Sequence, residues 1–130
     1  MKKLIIALFV TVLLLGSSFV TAQDTKTVDL GGEFGLTWKA NPESDLAGYR
    51  IYLSSTSGSY VYGADKAYAQ VGIMTEPESV GHSISGAGTY YFVVTAFDLG
   101  GHESLPSNEV SLIVEDLPPK APTGCVLLKF

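Results

Sequence analysis

Apolar and polar residues alternate in short runs along most of this chain. The longest apolar run outside the N-terminal region is Thr89-Tyr90-Tyr91-Phe92-Val93-Val94-Thr95-Ala96-Phe97. It is rich in aromatic and β-branched residues, with Gly86 and Gly88 before it and Gly100 and Gly101 after, which predicts one central β-strand. Glu33 to Lys39 alternates cleanly, Phe34, Leu36 and Trp38 falling on one face, as in a half-buried strand. Tyr49 to Leu53 repeats the pattern with Tyr49, Ile51 and Leu53 inward, and Ser107 to Val114 repeats it with Val110, Leu112 and Val114 inward.

The remaining segments predict shorter pieces. Thr27 to Leu30 reads as a first strand ended by Gly31-Gly32, and Ser79 to Ile84 as a strand resumed after Glu76-Pro77-Glu78. Asn41 to Asp45 is dense in turn formers, with Leu46 an apolar plug beneath that loop. Tyr60 to Gln70 reads as a short edge strand with a loop, and Val71 to Met74 as a little further pairing. Short strands, frequent turn signals and no helical period predict an all-β fold. Its expected form is a two-sheet antiparallel, immunoglobulin-like sandwich of about seven strands.

The N-terminus departs from this pattern. Lys2 and Lys3 precede an apolar run from Leu4 to Leu15, Gly16-Ser17-Ser18 relaxes it, and Val20-Thr21-Ala22 places small residues before Gln23. That is the anatomy of a cleaved export signal over residues 1–22. The rival, an uncleaved anchor, is slightly short for a hydrocarbon core of about 30 Å. The expected organisation is a signal peptide at 1–22, one domain at 23–116, and a proline-rich connector with a strand-like tail at 117–130. A domain of this size hides about 65% of its unfolded surface, enough for a core without metal or disulfide.

Removal of the signal leaves six Lys and Arg against thirteen Asp and Glu, moving the net charge from −5 to −7. An acidic surface argues against nucleic acid, and against membrane contact beyond the export signal. Cys125 is the only cysteine, which excludes an internal disulfide and leaves a free thiol or a link between chains. The destination expected is the periplasm, the cell surface or the outside.

From about Thr27 to Glu115 the chain resembles a fibronectin type III domain. Leu36-Thr37-Trp38 resembles that family's second strand with its core tryptophan, and Asp45-Leu46-Ala47-Gly48-Tyr49-Arg50-Ile51-Tyr52 its third strand in bacterial members. Thr89 to Asp98 matches the sixth strand, and Glu103-Ser104 through Ser107-Asn108-Glu109-Val110 the exit turn and the start of the last strand. The resemblance implies that Tyr90 is a tyrosine-corner residue, its hydroxyl bonded to backbone near Ser85 or Gly86. The turn before it is shorter than the family's usual form and lacks the proline. The tail resembles the opening strand of another such domain, with Pro122 and Gly124 in familiar places. Adhesion, surface display or association with carbohydrate enzymes is the implied range of activity.

No catalytic, cofactor-binding or metal-binding residue is expected. His82 lies in an expected strand and His102 in a turn, neither at a metal-ligand spacing. Asp98, His102 and Glu103 share one loop, read as the turn leaving the central strand rather than as a cation site. The alternation that sends Tyr90, Phe92 and Val94 inward sends Tyr91, Val93, Thr95 and Phe97 outward. With Arg50, Tyr52, Ser111 and Ile113 from neighbouring strands they form an apolar face. Arg50, Tyr52, Tyr91, Val93, Phe97 and Ile113 are therefore the candidate binding face, for a protein, a glycan or a second copy. Cross-strand packing alone, or cover by the chain's own tail, would also account for that composition. Tyr60, Tyr62 and Tyr68 are expected at its rim. The functional expectation is a non-catalytic binding module. The alternative is an assembly subunit that pairs its C-terminal strand with a neighbour, and an enzyme is the least favoured reading.

Overall fold

In the computed structural model, residues 23–74 and 78–130 are described. The expected signal at 1–22 and the break at Glu76-Pro77 lie outside them. Seven strands run in chain order: β1 Thr25–Asp29, β2 Glu33–Thr37, β3 Leu46–Ser54, β4 Ala69–Val71, β5 Glu78–Ser83, β6 Gly88–Asp98 and β7 Val110–Glu115. They form two sheets, one ordered β1-β7-β6-β3-β4 and the other β2-β5. The central strand read from the sequence is β6, flanked by antiparallel β3 and β7.

Alternation sorts the side chains as expected. Ile51, Phe92, Leu112 and Val114 are buried together, with Phe34, Leu36 and Trp38 packed against them from the β2 side. Phe34 meets Phe92 at 5.3 Å between ring centroids, and Trp38 meets Tyr49 edge-on at the same distance. The tyrosine corner forms, its Tyr90 hydroxyl donating to the Gly86 carbonyl at 2.8 Å. Leu46 is buried as expected, at the start of β3.

Four features differ from the sequence reading. First, β1 pairs parallel to β7 in a sandwich expected to be antiparallel, Thr25 opposite Ser111 and Asp29 opposite Glu115. The turn through Gly31, at a φ of 77° that favours glycine, then carries the chain across to the other sheet. Second, the edge strand expected within Tyr60–Gln70 shrinks to Ala69–Val71. The Gly63 amide and carbonyl are both bound to the Tyr52 hydroxyl, and that segment lies over a sheet face instead of extending its edge. Third, Trp38 lies just past β2, where the Tyr49 hydroxyl accepts from the Asn41 amide and holds the turn. Fourth, residues 116–130 form no strand and are exposed.

Candidate functional site

The residues of the candidate face do share one side of the five-stranded sheet. Arg50 stands opposite Thr95, Tyr52 opposite Val93, and Ser54 opposite Tyr91. Ser111 stands opposite Tyr91 and Ile113 opposite Thr89. This side is not open, however. Tyr52 is 1% exposed and Val93 4%, while Arg50, Tyr91, Phe97 and Ile113 are half-buried. Two segments of the chain itself, not the tail, provide cover.

The first cover is the turn after β6. Its Glu103 carboxylate accepts from the Arg50 guanidinium at 2.8 Å, the Thr95 hydroxyl at 2.5 Å, and the Tyr52 hydroxyl. The Arg50 guanidinium in turn lies over Phe97, its central carbon 4.1 Å from the ring centroid. Gly48 permits this stacking, because a side chain there would meet both the Val71 carbonyl and the Phe97 ring. Burial pushes the Glu103 carboxyl up, but hydrogen bonds from Thr95, Tyr52 and Arg50 outweigh it and hold the group below its ordinary value.

The second cover is the 56–66 segment. Tyr62 stacks edge-on against Tyr52 at 4.9 Å, and Tyr60 donates to Glu109 at 2.6 Å. Glu109 also accepts from Ser57, the Gly58 amide and Gln23, so one carboxylate joins the lead into β1, this segment and the approach to β7. Its carboxyl is held low as well, the hydrogen bonds overcoming an opposing effect of burial. Burial, followed by the bond to Glu109, drives the Tyr60 phenol well above its usual range.

The three rim tyrosines therefore separate. Tyr60 and Tyr62 cover the outer face, whereas Tyr68 sits at the mouth of the core, 5.3 Å from His82 and 6.0 Å from Phe92. His82 is bonded to Ser79 within β5. The loop carboxylates also part company. Asp98 binds the His102 ring and amide, at 3.0 and 2.8 Å, while Glu103 turns to the sheet. Glu103 and Glu109 are the organising residues that sequence reasoning placed only in an exit turn. The signal for Glu103 was Arg50, a cation on a strand face otherwise apolar, which requires an acid above it; nothing in the sequence pattern marked Glu109.

A different surface is left open. β2 pairs only with β5 among the described residues. Two cavities of about 760 and 260 Å³ flank β2, both lined by Leu36, Thr37, Phe92 and Val110. The tail stands away from the sandwich with Val126, Leu127, Leu128 and Phe130 exposed, Leu127 at 97% and Phe130 at 109%. Cys125 is exposed and free.

No family model matches the chain, and no curated protein does. Among solved structures, fibronectin(III)-like modules of CbhA from Clostridium thermocellum align over 74% of this chain and 92% of theirs, with a TM-score of 0.51 and 14% identity. The fold is that of a fibronectin type III domain. A Fn3-like protein from the same organism aligns over 73% of this chain and 94% of its own, at 28% identity and a TM-score of 0.49. Within this fibronectin type III-like sandwich, β1 pairs with β7, and β2 has no second neighbour among the described residues. No helix among the described residues is long and apolar enough to cross a membrane.

Proposed function

We propose that this chain is an exported, non-catalytic interaction module that contacts a protein partner through its C-terminal segment. The observation that carries this reading is the row of large apolar side chains at Val126, Leu127, Leu128 and Phe130, all exposed. Exposed apolar clusters of this kind mark contact surfaces. Two further features support it. Glu103, Glu109 and Asp98 are each engaged in internal hydrogen bonds. The aromatic face that would stack a sugar ring has Tyr52 and Val93 beneath other parts of the chain, which favours protein over glycan. The N-terminal signal anatomy supports export.

Capture experiments on the exported fraction test the reading, using the full chain and a form lacking residues 118–130. A partner retained by the full chain and lost with the tail is expected. Equal capture by both forms would reject it.

A further inference from the structure

We infer that the tail of one chain completes the sandwich of a second copy, Val126–Phe130 lying antiparallel along the free edge of β2. This rests on the reading of the chain as an interaction module and names its partner. The acceptor is a strand edge with no partner among the described residues, which templates pairing with another strand. Both flanking cavities open beside β2, and neither is lined by a residue of β5. The buried Trp38 indole N–H, on the wall of the larger cavity, has no acceptor among the described residues. A strand laid along β2 brings carbonyl acceptors to that region. On the donor, Val126, Leu128 and Phe130 fall on one face by alternation, an apolar set suited to a seam lined by Leu36, Phe92 and Val110.

Chain direction decides between a second copy and the chain's own edge. Asp29 is opposite Glu115, and Gly32 turns back onto Asp29 at 2.8 Å, so β7 ends where β2 begins. The tail thus leaves from the end of the sandwich at which β2 starts. Folding back onto its own β2 would reverse the chain and give a parallel pair. Pro118, Pro119 and Pro122 oppose that reversal, since proline-rich segments extend at about 3.1 Å per residue. Continuing forward into a copy stacked in the same orientation gives an antiparallel pair, the more stable ladder. The contact is head-to-tail, so it propagates instead of closing on itself.

Cys125 makes the direction measurable. In the antiparallel arrangement it lies beside the C-terminal end of the neighbour's β2; in the folded-back one it lies near Glu33 of its own chain. These positions are roughly 20 Å apart at about 3.4 Å per residue, beyond the reach of one disulfide. The full mature chain carrying Lys39→Cys or Glu33→Cys is oxidised and run without reductant. A ladder of covalent multimers is expected for Lys39→Cys and not for Glu33→Cys, and it should be lost when Leu128→Lys is added. A ladder that survives Leu128→Lys, or a disulfide closed within the Glu33→Cys monomer, overturns the proposal. So does absence of multimers in Lys39→Cys. If tail-dependent capture of a different protein persists in that case, the interaction reading stands without self-assembly.

Discussion

Glu103 and Arg50 meet at 2.8 Å across 53 residues of sequence, over the middle of the five-stranded sheet. Their side chains are only 18% and 12% exposed, and Tyr52 and Thr95 donate to the same carboxylate. One acid therefore fastens the turn after β6 to β3 and β6 together. Removing one partner of a buried ion pair leaves the other uncompensated, at about 3–5 kcal/mol. Partial exposure places Glu103→Ala at the lower end, about 3 kcal/mol in urea unfolding. A loss below about 1 kcal/mol, the value of a surface pair, would refute the fastening role.

The same carboxylate, with Glu109, sets the acid limb of stability. Both are held below the ordinary value of 4.5 by hydrogen bonds that exceed the opposing effect of burial. The unfolded chain therefore binds more protons as pH falls, and folding free energy declines. Their stabilisation is full above about pH 4.5 and is lost as pH drops through the folded values. The Tyr52 and Tyr60 phenols are raised, by burial first and then by bonds to these acids. Their contribution is full below pH 10 and is lost on titration above it. Urea midpoints should be level between these limits and fall on both sides. Glu103→Gln/Glu109→Gln should flatten the acid limb; an unchanged limb would assign it to other groups.

How much of this was legible in the sequence depends on the range of the interaction. The strands with a clear period of two were readable from local pattern, β6 above all, and so was the inward set Tyr49, Ile51, Phe92 and Leu112. The corner bond of Tyr90 to Gly86 was readable only through the resemblance to fibronectin type III domains. The cover over Tyr52 and Val93 was not. It comes from residues 56–66 and from Glu103, brought there by loops whose hydrogen bonds have no periodic signature. Sequence alternation assigns a side of the sheet, and only tertiary structure says what lies on it. The parallel seat of β1 beside β7 was hidden for the same reason, since Thr25–Asp29 is short and polar enough to suit either sheet.

Gly48 tests how closely the β3–β6 contact is fitted. A Cβ built there lies 2.5 Å from the Val71 carbonyl oxygen and 3.1 Å from the Phe97 ring. The first is backbone and cannot step aside, so Gly48→Ala must displace β4 or Phe97, and with Phe97 the Arg50 guanidinium above it. Overpacking of this sort costs about 1–3 kcal/mol. Gly72→Ala, where nothing lies within 4 Å of the added carbon, is the control and should be nearly neutral. Equal stability of the two variants would mean that β4 is not seated against β3 as described.

Tyr90 and Phe92 share the inner face of β6 but stabilise the fold by different means. The Tyr90 ring is half-buried and its hydroxyl closes the corner at Gly86. Phe92 is 1% exposed and packs against Phe34 and Tyr68, joining both sheets. Tyr90→Phe removes one hydrogen bond near the surface, a loss of about 1 kcal/mol. Phe92→Ala empties the centre of the core, where the deletion of an aromatic ring costs about 3–5 kcal/mol. The single cooperative transition expected of a domain this size should persist in the first variant. In the second, the loss falls beside Leu36 and Val110, which also line both cavities flanking β2. Because β2 is held, among the described residues, through β5 and this core, Phe92→Ala should raise hydrogen exchange in β2 and β5 more than in β3. Uniform exchange across both sheets would show that the smaller sheet does not depend on Phe92 for its seat.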